Sequence, residues 1–168
     1  NWLLDSNAYI EDLNTSLTVT LKNANKAEQV IRSMRSYAAL TPFNETEVFS
    51  GAEMLASNQM DIERWMKVAG NLASAKKVQG TTLNDVINVI TRINSGDFGK
   101  AMIRLRQMGI SMKDLKQQGL EFSKNGSFLG ATVHMLDALE VIIKHRFGGL
   151  NQSLSEGFKK SLLPILDL

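Results

Sequence analysis

The sequence predicts a mainly α-helical fold, a compact bundle of about seven or eight helices carrying one small β-hairpin at about residues 121–129. Three observations predict it. Apolar residues recur at three- and four-residue steps through most of the chain, the spacing that lines one face of a helix. Gly, Pro and Asn/Asp/Ser/Thr punctuation breaks that pattern roughly every 12 to 20 residues. The 168 residues are 43% hydrophobic and 21% charged, with 12 Gly and 2 Pro. That balance lets a domain-sized chain bury a core and excludes disordered, collagen-like and low-complexity classes.

Residues 1–23 read as a lead-in. Within them Leu17-Thr18-Val19-Thr20-Leu21 alternates apolar and hydroxyl residues, so the stretch 17–22 is either a short strand or a helix. From Glu28 to Leu40, Val30, Ile31, Met34, Tyr37 and Ala38 share one helical face. Thr41-Pro42 ends that helix, because proline lacks an amide proton and disfavours helical geometry in the residue before it. Asn44 and Glu47 have capping-box spacing and start the next helix, with Val48, Phe49, Ala52, Leu55 and Ala56 inward. Asp61 caps a third, whose stripe of Ile62, Trp65, Met66, Ala69, Leu72 and Ala73 runs to the polar patch before Gly80.

Thr81 or Thr82 caps a fourth helix, with Leu83, Val86, Ile87, Ile90 and Ile93, ending at Ser95-Gly96; these two stripes predict the centre of the core. Asp97 or Phe98 opens a fifth, with Met102, Leu105 and Met108 inward and Gly109 where a left-handed cap is expected. Ser111 caps a short sixth that Gly119 stops. Then the period changes: Glu121-Phe122-Ser123 and Ser127-Phe128-Leu129 flank Lys124-Asn125-Gly126, and Asn-Gly is a strong hairpin signal. From Thr132 to Phe147 a long helix returns, with Val133, Leu136, Leu139, Ile142 and Ile143 on one side, closed by Gly148-Gly149. The domain is thus expected over 24–149. A lead-out helix over 150–168 follows, with Leu154, Phe158, Leu162 and Ile165 at helical spacing.

Nineteen Lys+Arg against seventeen Asp+Glu give a formal charge of +2, which by itself points to neither nucleic acid nor a membrane. The absence of cysteine removes disulfides, thiolate nucleophiles and thiolate metal sites. No run approaches the roughly 18 apolar residues of a membrane span, and Asn1-Trp2-Leu3-Leu4-Asp5-Ser6 lacks the form of a signal peptide. The chain begins without Met and stops inside the apolar stretch Leu162–Leu168, from which a piece of a longer protein is expected.

Candidates for chemistry are few. His134 and His145 lie eleven residues apart on one predicted helix, about 16 Å along its axis, too far for joint metal binding without other ligands. His145 suits the helix C-terminus as a cation, and Asp61/Glu63 and Glu45/Glu47 suit first helical turns as anions. No phosphate loop, nucleophile elbow or Rossmann glycine pattern is present. The expected site inventory is therefore no catalytic residue, no metal and no cofactor. Trp65 and most of the eight Met residues fall on inward stripes, as core or as contact with another subunit.

One local pattern offers a different function. The segment from Arg104 to Leu115 reads as helix, glycine turn, helix, and from Lys100 to Lys124 the bases Lys100, Arg104, Arg106, Lys113, Lys116 and Lys124 outnumber nearby acids. That is the grammar of a helix-turn-helix DNA reader. Its would-be recognition helix, however, runs only from Met112 to about Gln118.

Taken in order, the punctuation forms a series of short motifs: Tyr37-Ala38-Ala39-Leu40-Thr41-Pro42-Phe43 with Glu47-Val48, then Gly96-Asp97-Phe98-Gly99-Lys100-Ala101. Next come Arg104-Leu105-Arg106-Gln107-Met108-Gly109-Ile110-Ser111 with Asp114-Leu115, Phe122-Ser123-Lys124-Asn125-Gly126, Arg146-Phe147-Gly148-Gly149, and a stretch from Ser155 to Asp167. This series resembles the conserved N-terminal-side domain of tape measure proteins from long-tailed bacteriophages and prophages. The resemblance covers about Leu17 to Asp167; Leu162-Leu163-Pro164 departs from the polar residues usual there. The resemblance implies structural roles for Thr41, Pro42, Phe43, Glu47, Gly96, Phe98, Gly99, Gly109, Asn125, Gly126, Arg146, Phe147, Gly148 and Gly149.

It further implies a virion protein that sets tail length, occupies the tail tube, is assembled in the host cytoplasm, and meets copies of itself, the tube protein and tail-assembly chaperones. In such proteins the Met108-Gly109-Ile110-Ser111 step is a helix break. Because a ruler needs extended helix at about 1.5 Å per residue, a chain broken this often is expected to be a folded module beside the ruler. The expected function is accordingly a non-enzymatic assembly module. The alternatives are the DNA-binding regulator centred on Arg104–Leu115 and a cell-wall-cleaving segment, for which Cys/His, His/Asp or a positioned Glu pattern is missing.

Overall fold

The structure, a computed structural model, describes residues 2–150; the lead-out expected over 150–168 falls, from residue 151, outside the described residues. Described elements are helical: α1 (Trp2–Leu21), α2 (Ala24–Leu40), α3 (Glu45–Ser57), α4 (Ile62–Ala75), a 3₁₀ turn (Lys77–Gln79), α5 (Leu83–Asn94), α6 (Phe98–Gln107), α7 (Met112–Gln117) and α8 (Thr132–Phe147). The chain divides within α4 into two units, residues 1–66 and 67–168.

In the first unit α1, α2 and α3 pack against one another. The ambiguous segment 17–22 is helix through Leu21, and the reason is visible in its hydroxyls. Thr20 Oγ1 donates to the Ser16 carbonyl at 3.0 Å, as Thr15 does to Glu11, so a helix satisfies these threonines locally. Leu13 and Leu17, one turn apart, are buried, while Val19 stays exposed. Asn23 starts α2 by accepting from the Lys26 amide at 3.1 Å.

At the other end of α2, Thr41 takes extended geometry as the cap and its hydroxyl donates to the Tyr37 carbonyl at 2.8 Å. Asn44 accepts from the Glu47 amide at 2.8 Å, but the return leg of the expected capping box is replaced by a side-chain bond, Asn44 Nδ2 to Glu47 Oε1 at 2.9 Å. Of the α2 stripe, Val30 is only half-buried.

The second unit is organised around α5, which packs on α6 and α8 and buries Leu83, Val86, Ile87, Ile90 and Ile93 as the sequence predicts, with Val89 and Thr91 in addition. Thr82 and Asp85 form a complete capping box at its start, and Ser111 and Asp114 form another at α7.

Two expectations are corrected here. The β-hairpin at 121–129 is a turn without strands among the described residues: one antiparallel bridge joins Phe122 and Phe128. Away from the turn the Leu129 amide donates to the Glu121 carbonyl at 2.8 Å, and at the turn both bonds are made by Ser123. Its amide donates to the Ser127 carbonyl at 2.8 Å while its hydroxyl accepts from the Ser127 amide, so the polar side chain closes the turn. Three residues on each side are too few for an independent ribbon. On α8, Val133 is 54% exposed, and Met135 and Ala138 take the inward places beside Leu136, Leu139, Ile142 and Ile143. Gly148 follows α8 at φ −76°, not left-handed, and a Cβ there would collide with the Lys144 carbonyl.

Candidate functional site

In the second unit, sequence segments far apart converge on a cleft of about 520 Å³ lined by Gly96, Asp97, Phe98, Gly99, Met102, Ile103, Arg106, Met112 and residues 125–128. Five of the residues to which the resemblance gives structural roles, Gly96, Phe98, Gly99, Asn125 and Gly126, meet there. Aromatic packing holds its walls together: Phe128 stands edge-on to Phe98 with centroids 5.0 Å apart and leans on Phe122 at 5.6 Å. Gly126 has φ +87°, the left-handed position that an Asn-Gly turn requires. The ionisable groups in the lining are Asp97, whose carboxylate is engaged by Arg92 at 3.3 Å, and Arg106. These two do not make a nucleophile with its base, nor an acid-base pair poised on a common point; the cleft can seat an apolar or aromatic group beside a guanidinium.

A second convergence lies at the turn between α6 and α7. Ile110 N donates to the Leu105 carbonyl at 2.9 Å and Gly109 N to Arg106 at 3.1 Å, the paired bonds of a left-handed helix cap, with Gly109 at φ +88°. Arg146, from the last turn of α8, donates to the Gly109 carbonyl and to Asp114 Oδ2, both at 3.1 Å. Phe147 lies under two cations, Arg146 at 5.1 Å and Lys76 at 5.3 Å from its centroid. The Ser111 amide bonded to the Asp114 carboxylate holds its pKa below the usual range, with further help from the Ser111 hydroxyl and the Arg146 charge.

This geometry bears on the helix-turn-helix pattern. The helix offered as a reader, α7, is six residues long. Its N-terminus is occupied by the Ser111–Asp114 box, and Arg146 bridges the turn. Arg104 is drawn to Asp85 at 3.4 Å and to Gln107 at 3.2 Å.

The motif residues Thr41, Pro42, Phe43 and Glu47 serve the first unit. Phe43 is buried and stacks on Tyr37 at 6.4 Å, and the Tyr37 hydroxyl donates to the Met66 carbonyl at 3.3 Å. Burial pushes the Tyr37 hydroxyl pKa well up. Thr41 and Pro42 hold the corner between α2 and α3, and Glu47 accepts from Asn44 at the start of α3. Gly149 is exposed beyond α8.

His134 and His145 are exposed on α8; His134 borders a hollow of about 450 Å³ with Asp137 and Val141, and His145 sits in the basic last turn. Asp61 caps α4 by accepting from Arg64 N at 3.1 Å, while Glu45, Glu47 and Glu63 occupy first turns. Among the described residues no group of three His, Asp or Glu is placed to hold a metal ion, and no helix is long and apolar enough to cross a membrane.

Sequence reasoning missed one property entirely. Residues 1–66 carry five Lys+Arg against nine Asp+Glu, a net of −4, and residues 67–168 carry fourteen against eight, a net of +6. Counting charge by segment would have found it. Comparison of the chain with protein-family models, with characterised proteins and with solved structures gives no match.

Proposed function

We propose that the chain is a non-enzymatic structural and assembly module of a tape measure protein of a long-tailed bacteriophage or prophage. In this reading the longer protein sets tail length and lies in the tail tube, and its partners are its own copies, the tube protein and tail-assembly chaperones. It would enter the virion tail after assembly in the host cytoplasm. The observation that carries the reading is the order of six short motifs from Tyr37 to the stretch ending at Asp167. Support also comes from what those motif residues do here: Thr41, Gly96, Gly109 and Gly126 close helices and turns, Arg146 ties α8 to the α6–α7 turn, and Phe147 packs under Lys76, which follows α4. A module with such junctions is short and folded where a ruler would be one long helix.

The test is an immunoblot of purified, denatured tails with an antibody raised against residues 24–149, joined to the reading frame that follows Leu168. A band from the tails, with several hundred heptad-like residues downstream, is the expected result. Tails without the band, or a reading frame that stops at Leu168, would overturn it.

The DNA-binding alternative has one observation in its favour, the cations on the exposed side of α6, of which Lys100 and Arg106 make no ion pair among the described residues. A mobility shift on duplex DNA at physiological salt decides it: nanomolar binding lost in Arg104→Ala would replace the assembly reading.

A further inference from the structure

The charge segregation between the two units coincides with two exposed helix faces of opposite character. On α6, Lys100, Ile103 and Arg106 are exposed at three-residue steps, and Ile103, 55% exposed, borders both the 520 Å³ cleft and a second hollow of about 330 Å³ lined by Asn88, Val89, Arg92, Lys100 and Arg104. An isoleucine standing between two hollows, with cations on either side, is the form of a contact ridge. Neither Lys100 nor Arg106 has an anionic partner among the described residues, whereas Arg92, Arg104 and Arg146 are paired at 3.1–3.4 Å.

The complementary surface is on α1. Glu11, Thr15 and Val19 follow one another at four-residue steps with Asp12 alongside, and all four are exposed, Val19 at 72%. Leu13 and Leu17 on the other side of the helix are buried in the first unit, which fixes this face outward. Glu11 and Asp12 have no cationic partner among the described residues. Elsewhere in the unit, Glu45 is engaged by Arg35 at 3.7 Å and Glu28 by Arg32 at 3.8 Å. The α1 face therefore offers two unpaired carboxylates and one apolar side chain, opposite in charge to the two unpaired cations and one apolar side chain on α6.

We propose that the Lys100–Ile103–Arg106 ridge on α6 docks the Glu11–Asp12–Val19 face of α1 from a second copy of this chain. The occupant follows from charge complementarity: a net +6 unit meets a net −4 unit of another copy, and the apolar residue on each face, Ile103 between its cations and Val19 two turns beyond its carboxylates, loses water on contact. The inference deepens the assembly reading, resting on it only for copies being brought side by side.

The test is sedimentation equilibrium of the full chain at about 0.01 M and about 1 M salt, where the Debye length is about 30 and 3 Å. Association at low salt that weakens in high salt is expected. The variants K100E/R106E and E11K/D12K, each shown by circular dichroism to be folded, are expected to weaken self-association at least about tenfold when alone and to associate with each other when mixed. Ile103→Asn should weaken it as well, since it keeps both cations. A wild-type chain that is monomeric at low salt, reversed variants that associate as the wild type does, or a mixture that stays monomeric each overturns the proposal. Reversed variants that still associate discard this surface while leaving the assembly reading intact; denatured tails that lack the protein discard that reading without touching the charge swap.

Discussion

The ends of α3 and α6 use the same hydrogen-bond pattern with different residues. In the first unit the Gln59 amide reaches Ala56 and the Met60 amide reaches Leu55, with Gln59 itself at φ +57°. In the second, Gly109 and Ile110 make the equivalent bonds to Arg106 and Leu105, with Gly109 at φ +88°. The contrast is general. Among the described residues, the left-handed ones of the first unit are Lys22 and Gln59, and those of the second are Gly80, Gly96, Gly109, Gly119 and Gly126. A side chain in the left-handed region costs about 1–2 kcal/mol, which the first unit tolerates between long packed helices. Shorter elements in the second unit offset less, so glycine sits at its turns. Sequence punctuation was therefore dense in the second unit, and most of the recognisable motifs lie there.

The comparison can be attacked at several scales. The largest effects should come from the two cores: Phe49→Ala is expected to cost about 3–5 kcal/mol and Ile87→Ala about 2–5, read by urea denaturation. A loss under about 1 kcal/mol at either would mean that the residue is not packed as described. Next, Gly109→Ala should cost about 1–2 kcal/mol, because the new side chain is held left-handed and its Cβ would press within 3.2 Å of Lys76 Nζ. A neutral outcome would remove the distinction between the two kinds of helix end. Tyr37→Phe leaves the ring on Phe43 but removes the hydroxyl donor to Met66, for about 1 kcal/mol; an unchanged melting temperature would show that bond to be dispensable.

Smaller still is a pH effect. Asp114 has a lowered folded pKa, so its stabilisation of α7 is whole above the ordinary carboxylate range, about pH 4, and is lost as pH falls from there through the lowered value. Asp114→Asn should flatten that acid limb of the stability curve; an identical limb in the variant would assign it to other carboxylates. Smallest is a gain: Gln59→Gly should stabilise by about 0.5 kcal/mol, since relief of left-handed strain slightly exceeds glycine's entropic cost. Loss of stability there would show that Gln59 contributes more than its conformation.

What the sequence made legible was local chemistry. Asn44, Asp61, Thr82 and Ser111 cap the helices they were expected to cap, because the cap and its amide lie three residues apart. The stripe on α5 was readable since that helix is buried along its length. Alternation at Leu17–Leu21 left strand and helix both open, because threonine fits a helix once its hydroxyl bonds the preceding turn. Asn125-Gly126 signalled a turn and nothing about whether strands would extend from it. The joining of Gly109 to Arg146, and of Lys76 to Phe147, crosses too many residues for any spacing rule to see. The cleft walls share this property, so the motifs that border it were legible one at a time and their convergence was not.

The Arg146 bridge also sets an order of events during synthesis. The Gly109 carbonyl waits for a side chain that is made 37 residues later. At about 5–20 residues per second on the ribosome, the α6–α7 turn therefore stands without its bridge for about 2–7 s. A binding protein that recognises the open turn would have that interval in which to act, and completion of α8 would end it.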